Sequence, residues 1–264
     1  MDISIFAKSV KSEEFHSSES ACAYVRKSRL HQCDDSALLI IKDEYALIGV
    51  FDGASGEVNA STASETALRA IANYVERYFE KKKPEELLEN AIEEANYAVQ
   101  AGGTTASVAL ALPDGSYFYV NVGDSHIYSV SKGKVMRLTI DDRDSSSYTS
   151  YVKGRYYLSQ CIGGLIKNLD SGKGKLANGG FLLIVSDGVL DNLKLKVEGG
   201  VLTDTSGKDD LQKLIENKET AKSVVEELAE EIKKRMELKE ELIAADGIIA
   251  PKEDDASIVV FMPK

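Results

Sequence analysis

Cysteine and histidine are both scarce in this chain of 264 residues, with three of each, and neither is arranged for chemistry. Cys22, Cys33 and Cys161 are odd in number, lie far apart and form no C-x-x-C pair. That excludes a disulfide framework and a cysteine zinc site, and it points to a reducing compartment, the cytoplasm. His16, His31 and His126 are too dispersed to form a zinc site of their own. Positive charge is also short: the formal net charge of −11 repels phosphate backbones and anionic headgroups, so neither nucleic acid nor a membrane surface is expected as a partner. No stretch approaches the ~20 apolar residues of a spanning helix. Met1 to Ser20 lacks the continuous apolar core of a leader. Low-complexity segments and internal repeats are absent as well.

What is present is enough apolar material, 43% of residues, to build a substantial core, and the expectation is one domain spanning residues 1–264. Leu38–Lys42 and Tyr45–Phe51 are β-branched and apolar runs around Asp43-Glu44, an antiparallel hairpin. Helical spacing follows from Glu57 to Phe79, with Glu57 placed to cap that helix, and again from Pro84 to Val99, closed by Gly102-Gly103. Four strand-like runs come next, Thr105–Leu112, Tyr117–Val122, His126–Val130 and Val135–Ile140, and their short connections imply antiparallel neighbours. An irregular flap is expected at about 141–180, with a short helix near Tyr148–Lys153. Phe181–Val185 and Ser257–Met262 read as strands, and Leu211–Ile215 and Ala221–Leu242 as helices. Runs of strands alternating with pairs of helices favour an α+β fold, a layered sandwich of two antiparallel β-sheets flanked by helices.

Four aspartates sit at or beside the ends of these strands: Asp52, Asp124, Asp187 and Asp254. Three have a glycine neighbour, in Asp52-Gly53, Gly123-Asp124 and Asp187-Gly188, which lets an ion or phosphate approach the backbone. Carboxylates at rigid strand ends are what a hard cation such as Mg²⁺ or Mn²⁺ requires. Each of these pairs, taken singly, is also an ordinary turn dipeptide.

In order along the chain, the surrounding segments resemble the protein phosphatase 2C family of metal-dependent serine/threonine phosphatases. Cys33-Asp34-Asp35-Ser36-Ala37 is similar to the family's Asn-Glu-Asp segment, Val50-Phe51-Asp52-Gly53 to its Val-Phe-Asp-Gly, and Gly103-Thr104-Thr105-Ala106 to its Gly-(Ser/Thr)-Thr-Ala turn. Asn121-Val122-Gly123-Asp124-Ser125 resembles Asn-x-Gly-Asp-Ser-Arg, and Leu138 to Asp142 resembles Leu-Thr-x-Asp-His. Leu158 to Gly163 is similar to Leu-Thr-Arg-Ala-Leu-Gly, Ser186-Asp187-Gly188-Val189-Leu190-Asp191 to Ser-Asp-Gly-(Leu/Val)-x-Asp, and Asp254-Asp255-Ala256-Ser257 to Asp-Asn-x-(Thr/Ser).

The resemblance implies a four-layer αββα sandwich and a phosphoserine/phosphothreonine protein phosphatase. Its reaction would be direct attack on phosphorus by a water bridging two divalent ions. Asp52 would bridge the two, the Gly53 carbonyl would bind one, Asp187 and Asp254 would complete the set, and Asp35 would act through a coordinated water; Asp124 corresponds to a third, weaker site. Asp35, Asp52, Asp187 and Asp254 are thus the expected catalytic carboxylates, serving two ions of Mg²⁺ or Mn²⁺, or three with Asp124. Phosphorylated proteins, the products of a serine/threonine kinase, are the expected substrates.

Departures from the family pattern are specific. Ala54 stands where eukaryotic members carry a histidine thought to protonate the leaving group, and Arg29 lies one residue from the place of the phosphate-binding arginine. Arg29 is the candidate phosphate contact, set against an exposed basic residue, with His31 as a lesser substitute. His126 and Asp255 replace an arginine and an asparagine beside the aspartates, and Asp191 is read as bracing the Asp187 turn. Two rival functions follow: a regulatory or binding module with weak activity, and a phosphatase of a small phosphorylated metabolite.

Overall fold

The computed structural model describes residues 3–6, 11–54, 58–142, 158–198, 201–204, 206–244 and 247–263. The proposed cap at Glu57 and the expected helix near 148–153 lie outside the described residues.

The first sheet is built from β1 (Ile3–Phe6), β4 (Ser36–Ile41), β5 (Ala46–Phe51), β6 (Ala106–Ala111), β7 (Ser116–Val122) and β10 (Asp170–Lys175), in that order and antiparallel throughout. The second runs β2 (Glu13–Ser17), β3 (Ala21–Arg26), β16 (Ala256–Phe261), β11 (Phe181–Val185), β8 (His126–Ser131) and β9 (Lys134–Arg137), also antiparallel. Two small ribbons, β12 (Lys196–Glu198) with β13 (Val201–Asp204) and β14 (Leu242–Ala244) with β15 (Gly247–Ile249), complete the strands among the described residues.

Alternation along the strands divides the core into layers. Leu39, Ile48, Val50 and Ala109 of the first sheet meet Ala23, Ile127, Ile184 and Val259 of the second in a buried apolar layer between the sheets. Their neighbours Leu38, Leu47, Val108 and Leu110 face outward and are covered by α1 (Ala60–Tyr78) and α2 (Pro84–Ala98) through Ala67, Ile71, Val75, Leu88 and Ile92. On the other side Tyr24, Tyr128, Leu183 and Val260 lie under α4 (Lys208–Leu214) and α5 (Ala221–Met236), with α3 (Asp187–Leu190) at the edge. The architecture is therefore the four-layer αββα sandwich.

The helix ends follow their local chemistry. Pro84 occupies the first turn of α2, and Thr220 and Ser223 bond reciprocally in a capping box at the start of α5. α5 ends at Met236 rather than Leu242, because Leu242–Ala244 turns back to pair with Gly247–Ile249. A second correction concerns the short connection at Gly123-Asp124-Ser125. It joins strands of different sheets, so β7 and β8 are not the antiparallel neighbours that loop length implied. Gly123, at φ +103, takes the left-handed backbone needed for that passage, and a Cβ there would strike the Thr105 side chain.

Candidate metal centre

Antiparallel register brings the aspartates to one end of the sandwich. Ser36 pairs with Phe51, so Asp35, one residue before β4, and Asp52, one residue after β5, leave the first sheet side by side. In the second sheet Val185 pairs with Ile258 and with His126. Asp187 just beyond β11, Asp254 just before β16 and Asp124 ahead of β8 thereby leave from the same end.

Backbone bonds hold these turns. The Asp52 N–H donates to Thr105 Oγ1 at 2.9 Å, while its carbonyl accepts from Thr105 N–H at 2.8 Å and Thr104 Oγ1 at 2.9 Å. Thr105 Oγ1 also meets Ser125 Oγ at 2.9 Å, tying the Asp52 turn to the Asp124 turn. Asp142 Oδ2 accepts from Gly123 N–H at 2.9 Å and braces the same passage. Gly53 is packed so closely that a Cβ would lie 2.8 Å from backbone atoms of both Ala60 and Asp34.

The electrostatics are those of crowded negative charge, with Asp35 and Asp124 buried and Asp52, Asp187 and Asp254 half-buried. Burial pushes the Asp52 carboxyl well above the usual carboxylate range, and Asp35, Asp187 and Asp124 push it further in the same direction. Asp35 is raised in the same way, by burial and then by Asp255; its Oδ2 accepts from Ser257 Oγ at 2.7 Å, and its buried Oδ1 accepts no hydrogen bond. Asp254 is raised to about 6 by burial and by Asp187. An oxygen-only donor set with surplus charge and an unsatisfied buried oxygen fits a hard divalent cation such as Mg²⁺ or Mn²⁺.

These shifts predict an unusual pH profile for the metal-free protein. A carboxyl whose folded pKa exceeds its unfolded value keeps a proton in the folded state that the unfolded chain has released, so stability falls as pH rises between the two. The thermal midpoint of EDTA-treated protein should therefore drop from about pH 4 to pH 6, the window of Asp254, and Mg²⁺ should restore it at pH 7. Differential scanning calorimetry across that range checks this, and a midpoint that climbs instead would contradict the crowding.

The other candidates occupy distinct places. Arg29 is exposed and engaged by Glu253: its backbone N–H donates to Oε1 at 2.8 Å and its guanidinium to Oε2 at 3.0 Å, beside Arg26 on the same carboxylate. Asp255 ties the loop before β4 to β16, accepting from Ser28 N–H at 2.5 Å and Asp34 N–H at 2.6 Å. His31, Asp34 and Asp255 each offer a ligand atom within 4.8 Å of one another, yet both Asp255 oxygens already accept backbone bonds. His126 is buried, with Nδ1 2.9 Å from Thr139 Oγ1. Asp191 does brace the turn, donating its N–H to the Asp187 carbonyl at 2.7 Å, and it also shares a cation with Asp187. That cation is Lys252, whose Nζ contacts Asp187, Asp191 and Asp254; its position followed from no sequence pattern, since a lone lysine two residues before Asp254 carries no spacing signal. A cavity of about 550 Å³, lined by Ile41, Tyr45, Ala111, Leu112 and Phe261, lies at the opposite end of the sandwich.

Comparison with known proteins places the fold. The pattern of one family, described as Protein phosphatase 2C, matches residues 26–243. No curated protein matches the chain. Among solved structures, the serine/threonine phosphatase PstP/Ppp of Mycobacterium tuberculosis superposes with a TM-score of 0.68 at 16% identity, covering 92% of this chain and 98% of its own. The PPM Ser-Thr phosphatase MsPP of Mycobacterium smegmatis, solved with cacodylate, gives 0.64 at 18% identity, with 97% and 100% covered. RsbX, solved with magnesium, gives 0.61 at 17% identity, with 96% and 100% covered. At these identities the likeness is one of fold.

Proposed function

Because this chain belongs to the protein phosphatase 2C family, we propose that it hydrolyses phosphoserine and phosphothreonine in proteins, using Mg²⁺ or Mn²⁺ held by Asp35, Asp52, Gly53, Asp124, Asp187 and Asp254. The observation that carries this reading is the convergence of buried and half-buried carboxylates on Asp52, where Asp35, Asp187 and Asp124 all raise its pKa. Residues 1–264 act as one catalytic unit in this reading, in the cytoplasm, where its three free thiols stay reduced. Among the described residues no helix is long and apolar enough to cross a membrane.

Divalent ions held by these carboxylates would supply charge to activate a water and neutralise the phosphoryl oxygens as charge develops on them. The chain's own contribution is to fix the donors. Thr104 and Thr105 hold the Asp52 backbone, Ser257 orients Asp35, and the α3 turn presents Asp187. Ala54 N–H donates to the Gly103 carbonyl at 2.9 Å, and its methyl has no proton to offer a departing alkoxide. Protonation of the leaving group then falls to solvent, and poor leaving groups should react slowly relative to p-nitrophenolate.

The weakly active regulatory reading is favoured by one contact, the engagement of Arg29 by Glu253, which withholds the guanidinium from phosphate. Assay of purified protein on p-nitrophenyl phosphate and on a phosphothreonine peptide, with Mn²⁺ and after EDTA, separates the readings. Activity on both substrates that EDTA removes and Mn²⁺ restores is expected. Turnover unaffected by EDTA would defeat the proposed mechanism, and tight Mn²⁺ binding without turnover would establish the regulatory module. Preference for a small phosphorylated metabolite over the peptide would move the substrate class.

A further inference from the structure

Three carboxylates converge on one ammonium. Lys252 Nζ lies 3.0 Å from Asp187 Oδ2, 2.9 Å from Asp191 Oδ2 and 2.9 Å from Asp254 Oδ2. The root of this side chain is fixed. Lys252 N–H donates to Asn192 Oδ1 at 3.0 Å, and its carbonyl accepts from Asn192 Nδ2 at 2.9 Å, which also donates to the Gly188 carbonyl at 2.8 Å. Asn192 is fully buried, and its own carbonyl accepts from Arg235 Nη1 at 3.0 Å. The backbone of Lys252 is thus bolted to the turn that carries Asp187 and Asp191.

We propose that Lys252 is a tethered counter-ion that competes with divalent cations for Asp187 and Asp254. This rests on the reading of those two aspartates as metal ligands. A divalent ion such as Mg²⁺ must approach a carboxylate oxygen to about 2.0–2.1 Å and take over its lone pairs. Lys252 holds one oxygen of each carboxylate in a charge-assisted hydrogen bond, and a positive charge so near also repels an incoming ion. The four-carbon stem lets the ammonium withdraw, and Asp191, the third carboxylate, is an anchor to which it retreats when the other two are taken. Two effects follow from one charge: the metal-free centre is partly neutralised and keeps its shape, and loading requires a higher metal concentration than the carboxylates alone would set.

Isothermal titration of metal-free protein with MnCl₂, paired with its thermal midpoint in EDTA, tests this in wild type, Lys252→Met and Lys252→Arg. Lys252→Met keeps the length of the stem without the charge, and should bind Mn²⁺ about tenfold more tightly or better while its metal-free midpoint falls by about 3 °C or more. Lys252→Arg should stay near wild type in both. Equal Mn²⁺ affinity in wild type and Lys252→Met would overturn the competition while leaving the metal centre intact. Absence of Mn²⁺ binding in all three would defeat the metal reading and the competition with it.

Discussion

Asp52→Asn should lower kcat/KM on p-nitrophenyl phosphate by about 10³-fold or more while leaving the protein folded and, without metal, at least as stable as wild type. The pairing of these outcomes is what makes the substitution informative. Asparagine preserves the shape of the side chain, and the backbone bonds to Thr104 and Thr105 that hold this turn do not involve it. What it removes is one negative charge from a site where burial, Asp35 and Asp187 all disfavour ionisation. Relief of that crowding offsets whatever packing is lost, so a circular-dichroism melt in EDTA should show an unchanged or higher midpoint. With metal the order should reverse, because the variant lacks one carboxylate of the proposed ligand set and gains less from Mg²⁺. Wild-type turnover in Asp52→Asn would remove Asp52 from the mechanism, and a collapsed melt would show that its charge is structural.

The second large effect concerns a residue with no functional group. Gly188, the second residue of α3, faces the start of β16, where a Cβ would drive into the Asp255 carbonyl oxygen. Its backbone is of ordinary hand, so the cost of Gly188→Ala is steric. Relief requires moving either the turn bearing Asp187 or the strand entry bearing Asp254, both held by neighbours: Ser186 N–H bonds to the Ser257 carbonyl at 3.0 Å, and Ser257 N–H to Ser186 Oγ at 2.9 Å. Overpacking against fixed backbone costs about 3 kcal/mol, which for a chain of this size lowers the thermal midpoint by about 6–12 °C. Thermal unfolding of metal-free protein measures it, and a midpoint within a degree of wild type would mean that the turn yields freely.

Elements with strong periodicity or a marked turn were legible in advance. The hairpin β4–β5, the helices α1 and α2 and the strand β11 fall where apolar spacing put them, since burial on one face or both is what such spacing encodes. The strands that escaped are those whose stability comes from elsewhere in the fold. β3, Ala-Cys-Ala-Tyr-Val-Arg, is wholly buried between β2 and β16, and its small residues suit a crowded central position without advertising it. β10, Asp-Ser-Gly-Lys-Gly-Lys, has no apolar residue at all. Its glycines pair with Tyr119 and Tyr117, whose rings lie across the space a Cβ would fill, so β7 supplies the side chains this strand lacks. At the centre, the ordered motifs named the aspartates, but the ammonium among them depends on Asn192 holding a segment 60 residues further along the chain.

The hydrogen bond from Ser257 to Asp35 joins residues 222 positions apart, and β3 is registered against β16 over a comparable distance. Closing so long a loop is entropically slow, and the local hairpins and helices give no help with it. During synthesis the first-sheet hairpins and their covering helices can form while the end of β16 is still being made, but the centre cannot. The proposed centre is therefore complete only once β16 lies between β3 and β11, because β16 brings Asp254 and Ser257 to the carboxylates of the first sheet.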